Sequence, residues 1–160
     1  VCNRLNLCLV DRQARSLGPE LLALFRRRGI EARGPVEGAL PLDRPLGFEW
    51  AGDPERVATV TVAEVDSLEE AVRIANEETS GLAASIVTED AEAARRFLDG
   101  YRGTVAFWNA TTRFADGYEL TGAPETGINV DWTPGPRGPV TYRDLWLRQY
   151  RVIGDGSQRR

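Results

Sequence analysis

Apolar residues in the first third of the chain form short runs that polar, turn-forming segments separate. Residues 5–10 (LNLCLV) alternate loosely and predict a buried strand. A helix is predicted from about Gly18 to Arg28, because leucines recur on one face and Gly29 ends the pattern. Residues 30–32 indicate the start of a second strand. Residues 33–56 are rich in Gly, Pro, Asp and Arg and predict a long irregular connection, and connections of this length are often functional.

The pattern then changes to regular alternation. Residues 57–65 (VATVTVAEV) are β-branched and alternate, which predicts a strand. Ser67 and Glu70 form a capping box, in which each side chain can bond the backbone N–H group of the other. The helix that they open is predicted to end near Gly81.

The same alternation continues into the second half of the chain. Residues 82–88 predict a strand, Asp90 caps a helix that ends at Gly100, and residues 104–109 predict a further short strand. Residues 144–156 contain the apolar segment LWLRQYRVI and predict a terminal strand. Strands that alternate with helices favour an α/β fold, a three-layer α/β/α domain with a largely parallel sheet.

The segment 109–117, NATTRFADG, follows directly after a predicted strand. Its amide, hydroxyl and guanidinium groups and its Asp-Gly turn suit a loop that hydrogen-bonds a small polar or anionic ligand. Ligands of open α/β sheets bind beyond the carboxyl ends of the strands, which agrees with this position. Asn109, Thr111 and Arg113 are therefore candidates to contact a carboxylate or phosphate. Alternatively, Asn109 and the threonines cap turns and Arg113 pairs with Asp116.

Composition narrows the possible chemistry. All 20 basic residues are arginines, and the chain has neither Lys nor His. A lysine Schiff base, a histidine general base and His-containing metal sites are therefore excluded within the segment, and two cysteines cannot form a four-Cys zinc site, so we expect no metal. A net charge of −4 gives no general reason to bind nucleic acid. No apolar run approaches the roughly 20 residues that span a bilayer.

The chain resembles the C-terminal catalytic domain of the gamma-glutamyl phosphate reductase (glutamate-5-semialdehyde dehydrogenase) family, within the aldehyde dehydrogenase superfamily. The segments that carry the resemblance occur in the family's order: Val1-Cys2-Asn3, VDSLEEA at 65–71, SIVTED at 85–90, NATTRFADG, ETGI at 125–128, RGP at 137–139 and GDG at 154–156. NATTRFADG is the most specific of them. The resemblance implies a single catalytic domain of the aldehyde dehydrogenase type over residues 1–160. The missing Met and the start at Val1 favour a fragment, whose nucleotide-binding domain we expect upstream.

The resemblance also implies a reaction. Cys2 would be the nucleophile of an NADP-dependent reductase that converts L-glutamyl 5-phosphate to glutamate 5-semialdehyde in proline biosynthesis, through a thioester. The backbone amide of Cys2 and Asn3 are candidates to stabilise the developing oxyanion. NADP(H) would be bound mainly by the absent domain, although Glu55 lies within about one position of the glutamate that contacts the nicotinamide ribose in aldehyde dehydrogenases. Glu125 is expected either to hold the amino group of a glutamate-like substrate or to stabilise a turn.

Other interpretations remain open at this stage. Cys2 could be a small buried residue, as we expect for Cys8. Arg4 and Asn6 stand where the family has Ala and Glu, and Leu82 replaces a His, which permits a paralogue with another acyl or aldehyde substrate or a catalytically silent homologue with a structural role. We expect a cytoplasmic enzyme that acts on a small molecule, without nucleic-acid or membrane partners. The apolar segment within 144–156 predicts a homo-oligomer.

Overall fold

The computed structural model describes residues 3–56, 58–129 and 138–143. Its strands and helices, in chain order, are β1 (Leu7–Asp11), α1 (Gly18–Arg27), β2 (Glu31–Arg33), β3 (Thr59–Val65), α2 (Leu68–Glu77), β4 (Ala83–Ile86), α3 (Ala91–Gly100), β5 (Val105–Trp108), α4 (Gly117–Thr121), β6 (Glu125–Asn129) and β7 (Gly138–Thr141). Short 3-10 turns occur at Arg12–Leu17, Trp50–Gly52 and Thr112–Phe114.

Parallel pairing dominates the sheets. The first sheet has the order β1-β3-β2, with both outer strands parallel to β3. The second sheet pairs β4 with β5, also in parallel, and places Ala83 opposite Val105. The predicted α/β class with parallel strands in an open arrangement is confirmed. Strands β6 and β7 form an antiparallel pair that the sequence pattern did not indicate.

Local capping explains where the helices begin. The Ser67 hydroxyl accepts a hydrogen bond from the N–H group of Glu70 at 3.1 Å, and the Glu70 carboxylate accepts from the N–H group of Asp66 at 2.7 Å. Asp90 caps α3 by accepting from the N–H groups of Glu92 and Ala93. Both predicted caps are therefore confirmed.

Helix α2 ends at Glu77, earlier than the predicted end near Gly81. The hydroxyl of Thr79 donates to the carbonyl oxygen of Ala75 at 2.7 Å, where the next helical N–H group would otherwise bond. Gly81 itself has a φ of 72°, a left-handed conformation that turns the chain toward β4. The three residues before Gly81 thus form a short connection instead of a further helical turn.

The main core lies between α1 and the first sheet. Val10, Leu22, Phe25, Val60 and Val62 form one buried cluster. The side chain of Cys8 packs against it, and burial raises the pKa of the Cys8 thiol. This confirms the expectation that Cys8 is a packing residue. A second cluster, between α2, α3 and the second sheet, contains Ala75, Phe97 and Tyr101.

The connection at residues 34–56 covers one side of the first sheet, with Trp50 as its anchor. The Trp50 side chain is completely buried, and its Nε1 group donates to the hydroxyl of Thr61 at 2.9 Å. The Arg56 guanidinium lies 5.1 Å from the centre of the Trp50 ring and also pairs with Asp43 and Asp53. Buried aromatic area together with these ion pairs gives the connection a fixed path. It is irregular, as predicted, and Trp50 anchors it to the first sheet.

Gly47 marks the closest approach within this connection. A Cβ atom at Gly47 would overlap the carbonyl oxygen of Glu78, the residue that follows α2. Only glycine lets the two backbone segments come this close. The connection and the end of α2 are therefore in backbone contact.

Two expectations cannot be compared with the structure. The terminal strand and the subunit contacts predicted at 144–156 lie outside the described residues. In the part of the chain that the structure describes, no helix has the length and apolar character needed to cross a membrane.

Candidate functional site

Asn3 joins the beginning of the chain to the loop at 109–117. Its Nδ2 group donates to the carbonyl oxygens of Arg113 at 3.1 Å and Ala115 at 3.2 Å. The hydroxyl of Thr112 donates to the carbonyl oxygen of Asn3 at 3.0 Å. We call these three hydrogen bonds the Asn3 clasp. Cys2, which lies outside the described residues, is covalently attached to it.

The clasp uses the whole donor capacity of the Asn3 side chain. An amide nitrogen has two hydrogens, and each faces one of the two carbonyl oxygens. A flipped amide would place its oxygen against both carbonyls, so the orientation is fixed. The Oδ1 atom is buried, and within residues 3–56, 58–129 and 138–143 it accepts no hydrogen bond. The Asn3 side chain thus holds the loop with both of its N–H donors, and its role toward an oxyanion stays a prediction.

Asn109 fixes the point where the loop leaves β5. Its Oδ1 atom accepts from the N–H group of Thr88 at 2.9 Å, and its Nδ2 group donates to the carbonyl oxygen of Thr88 at 2.9 Å. Its backbone has a φ of 51°, a left-handed conformation that asparagine tolerates better than most residues. Asn109 therefore extends the pairing of β4 and β5 by one step through its side chain. This is the turn-forming role that the sequence left open.

The next part of the loop is held by two hydroxyl groups. The hydroxyl of Thr111 accepts from the N–H group of Arg113 at 3.2 Å and opens the 3-10 turn. Ser85, in β4, donates its hydroxyl to the carbonyl oxygen of Ala110 at 2.7 Å. The loop is thus attached to the second sheet as well as to Asn3, which gives its side chains defined positions.

Arg113 does not pair with Asp116. The Asp116 carboxylate instead caps α4 by accepting from the N–H groups of Tyr118 and Glu119. Among the described residues no carboxylate forms an ion pair with the Arg113 guanidinium, which is exposed. The guanidinium is therefore available to a ligand.

Two concave regions flank the loop. An open cleft of about 690 Å³ lies at the carboxyl ends of β4 and β5 and is lined by Val87, Thr88, Glu89, Asn109, Ala110 and Thr111. A smaller cavity of about 400 Å³ is lined by Arg4, Leu5, Phe25, Ile30, Ala51, Ala58, Val60 and Arg113. The structure brings Asn109 and Thr111 together in the cleft, as the strand-end rule predicts. It places Arg113 at the neighbouring cavity.

The two candidate glutamates lie apart from both regions. Glu125 is exposed at the start of β6, where its side chain lies against Gly117. Glu55 is exposed in the turn before β3, and its N–H group donates to the Asp53 carboxylate at 3.1 Å. Their proposed contacts with substrate and cofactor remain predictions.

Sequence reasoning treated Arg4 and Asn6 only as departures from the family pattern, yet both organise the site. The Asn6 side chain donates to the Glu49 carboxylate at 2.8 Å and accepts from the N–H group of Trp50 at 3.1 Å. Arg4 donates from Nη2 to the carbonyl oxygen of Thr59. Both residues connect the segment after Asn3 to the first sheet and its covering connection. The unusual residue types at these positions were the available signal.

In the described part of the chain, no group of three or more Cys, Asp or Glu side chains is arranged to hold a metal ion.

Known proteins resemble this chain over nearly its whole length. Residues 58–135 match the aldehyde dehydrogenase family. The chain is 36% identical to a gamma-glutamyl phosphate reductase of Synechococcus sp. and 32% identical to one of Koribacter versatilis, over 97% and 99% of its length. It covers only 34% and 40% of those two relatives. The crystal structure of gamma-glutamyl phosphate reductase from Thermotoga maritima superposes with a TM-score of 0.78 at 26% identity, covering the whole chain and 39% of that protein.

Proposed function

Because the chain belongs to the aldehyde dehydrogenase family, we propose that it is the catalytic part of a gamma-glutamyl phosphate reductase. The proposed enzyme is a cytoplasmic, NADP-dependent oxidoreductase that converts L-glutamyl 5-phosphate to glutamate 5-semialdehyde in proline biosynthesis. The Asn3 clasp carries this proposal, since it joins the Cys-Asn pair to NATTRFADG. These are the two segments that the reaction would need in one place.

The Cys2 thiolate is proposed to attack the acyl carbon of the substrate. A carbon–sulfur bond forms, the carbon–oxygen bond to phosphate breaks, and phosphate leaves with the bonding electrons. Phosphate is a good leaving group, so this step does not require the histidine or lysine acid that the chain lacks. The backbone N–H group of Cys2 is the proposed oxyanion donor, because the Asn3 side chain is committed to the clasp.

NADPH, when bound, supplies the hydride that reduces the thioester to the aldehyde. In the part of the chain that the structure describes, no Gly-rich turn leads from a strand into a helix in the way that holds a dinucleotide. We propose that residues outside this chain hold most of the cofactor, because the chain spans only 34% and 40% of the two relatives named above. Glu55, in an exposed turn, is the proposed contact from this chain.

Substrate contacts are proposed for the groups at the two concave regions. Asn109 and Thr111 line the open cleft, and Arg113, which forms no ion pair with any described residue, lines the cavity beside it. Guanidinium groups recognise carboxylates and phosphates by two parallel hydrogen bonds. Glu125 is the proposed partner of the substrate amino group. Because Glu125 lies apart from the cleft at the start of β6, this contact would require the substrate or the β6–β7 pair to extend beyond the cleft.

The test is an activity assay of the full-length protein in the reverse direction. NADP and phosphate are added to pyrroline-5-carboxylate, which is in equilibrium with the semialdehyde, and NADPH is followed by absorbance. We expect turnover that Cys2→Ser abolishes and that the matched Cys8→Ser control retains. Turnover that survives Cys2→Ser would contradict the proposal.

A second candidate function is an aldehyde dehydrogenase-like enzyme with another acyl or aldehyde substrate. Arg4 favours it, because this guanidinium lines the cavity beside the loop at a position where the resembled family has Ala. Short aldehydes tested in the same assay separate the two functions. Cys2-dependent turnover of such aldehydes without turnover of the semialdehyde would favour the second. A protein that turns over none of them, with an inert Cys2, would be the silent homologue.

A further inference from the structure

Two arginines, Arg4 and Arg113, line the same cavity next to the Asn3 clasp. Arg4 follows Asn3 in the chain, and the carbonyl oxygen of Arg113 accepts a hydrogen bond from Asn3 at 3.1 Å. We propose that Arg4 and Arg113 together bind one oxyanion, a phosphate or carboxylate, of a small ligand that has a short apolar segment. Arg4 would then determine which anionic ligands the cavity binds. Identifying this ligand as an acyl-phosphate substrate rests on the proposed function; the anion site itself does not.

The Arg4 guanidinium is held in place by backbone carbonyls. Its Nη2 group donates to Thr59, and its Nε group donates to Leu5 at 3.3 Å. These bonds fix the plane of the guanidinium without using its Nη1 group, which has no hydrogen-bond partner among the described residues. A fixed guanidinium loses little further freedom when an anion binds, so its donors are preorganised.

Arg113 contributes the second positive charge. Its N–H group donates to Thr111 and its carbonyl oxygen accepts from Asn3, so its backbone is held at both ends. Its side chain is exposed and forms no ion pair within the described residues. The clasp therefore sets the relative positions of two arginines that are far apart in sequence.

The electrostatics of the cavity favour an anion. The described residues that line it include two arginines and no aspartate or glutamate. Burial lowers the pKa of Arg4, because a partly buried charge is less well solvated. The negative charge of Glu49 raises this pKa and so partly offsets the effect of burial. Glu49 does not line the cavity, and its carboxylate accepts from Asn6 at 2.8 Å. An oxyanion between the arginines would offset both the burial of Arg4 and the repulsion between the two charges.

The remaining walls set the size and character of the ligand. Leu5, Phe25, Ile30, Ala51, Ala58 and Val60 supply apolar surface, and the volume is about 400 Å³. Pockets of this size hold small molecules, with a few polar groups fixing their orientation. A ligand with one oxyanion and a few methylene groups matches this combination of walls and charges.

Binding of inorganic phosphate and of glutarate tests the proposal directly. Each is titrated into the protein at constant ionic strength while the arginine Nε–H resonances are followed by NMR. We expect saturable shifts of Arg4 and Arg113, and a loss of affinity of about tenfold or more for Arg4→Ala and for Arg113→Ala. The matched control is Arg27→Ala, at the exposed end of α1, which should leave affinity unchanged. Binding of phosphate alone would assign the site to a phosphoryl group, and binding of glutarate alone to a carboxylate.

The proposal is overturned if neither probe saturates, or if Arg4→Ala and Arg4→Lys both bind as the unchanged protein does. Urea midpoints show whether Arg4→Ala has lost its fold; if it has, Arg4→Lys, which keeps the charge but not the planar fork, should bind more weakly. Cys2→Ser separates this proposal from the proposed function. It should bind phosphate normally while turnover is lost, whereas turnover that survives with intact anion binding would defeat only the proposed function.

Discussion

The side chain of Asn109 bonds both backbone groups of Thr88, each at 2.9 Å. The contact acts as one more rung of the β4–β5 pairing, made by a side chain instead of a backbone. It also forms part of the open cleft, since both residues line it. The shape of the cleft and the direction of the loop therefore depend on the same pair of residues.

Replacing Asn109 should separate two contributions to stability. Asn109→Ala loses both side-chain hydrogen bonds. It also leaves an alanine, which has no side-chain hydrogen bond to stabilise it, at a left-handed φ of 51°. Asn109→Gly loses the hydrogen bonds but adopts that φ without strain. We expect Asn109→Ala to lower the free energy of unfolding by about 2–4 kcal/mol, measured by urea denaturation. The loss in Asn109→Gly should be smaller by about 1 kcal/mol. Equal losses for the two variants would show that the backbone conformation contributes nothing.

Asn3→Asp should disrupt the clasp more than Asn3→Ala does. An aspartate places a carboxylate oxygen where Nδ2 now faces the carbonyl oxygens of Arg113 and Ala115. We expect a loss of about 3 kcal/mol or more for Asp and a smaller loss for Ala, with earlier proteolytic cleavage within 109–117. Thr112→Val, which removes only the third bond of the clasp, is the control and should cost less than either. Unchanged proteolysis in Asn3→Asp would mean that the clasp does not hold the loop.

Gly47→Ala should be strongly destabilising. The added Cβ atom would overlap the carbonyl oxygen of Glu78, and backbone atoms cannot move aside as a flexible side chain can. We expect a loss of about 3 kcal/mol or more, measured as a lower urea midpoint. Gly52→Ala is the matched control in the same connection, because its Cβ atom would meet nothing within 4 Å. A Gly47→Ala protein as stable as Gly52→Ala would contradict the close approach of the two segments.

Burial of Cys8 should make stability depend on alkaline pH. Because the folded state raises the pKa of this thiol, its contribution is complete below the unfolded thiol pKa of about 8.5 and declines as the pH rises through the folded value. We expect the free energy of unfolding to fall above that pH, and Cys8→Ala to reduce the fall. Iodoacetamide at pH 7 should leave Cys8 largely unmodified. Rapid alkylation of Cys8 in the folded protein would show that the thiol is not buried.

The features that the sequence predicts well are those whose causes are local. The Ser67 hydroxyl accepts from the N–H group of Glu70, and the Glu70 carboxylate accepts from the N–H group of Asp66, so the start of α2 follows from a short local pattern. Asp90 does the same for α3. The hairpin of β6 and β7 was missed because ETGIN has little of the alternation that marks a strand, and its partner lies across a gap of eight residues. Helix α4 has five residues, too few to show a period.

The candidate site also has features that the sequence predicts and features that it does not. The residue types in NATTRFADG indicate a polar loop beyond a strand, and the structure places it there. The partners of those residues could not be foreseen, because Asn109 meets Thr88 and Asn3 meets Ala115 through contacts with no fixed spacing. The cavity that Arg4 and Arg113 share could not be foreseen for the same reason. Side-chain pairs that are distant in sequence depend on the completed packing of both sheets.

The residues of the Asn3 clasp are far apart in sequence, so the clasp can form only late in the synthesis of the chain. Asn3 and Ala115 are 112 positions apart, so the ribosome releases the first long before the second exists. Contacts that close so long a loop form after local helices and neighbouring strands, because the entropy of closure must be overcome first. A nascent chain would therefore carry the Cys2 thiol without its supporting loop until most of this segment is made. Asn3 and the loop at 109–117 therefore come together only late in folding.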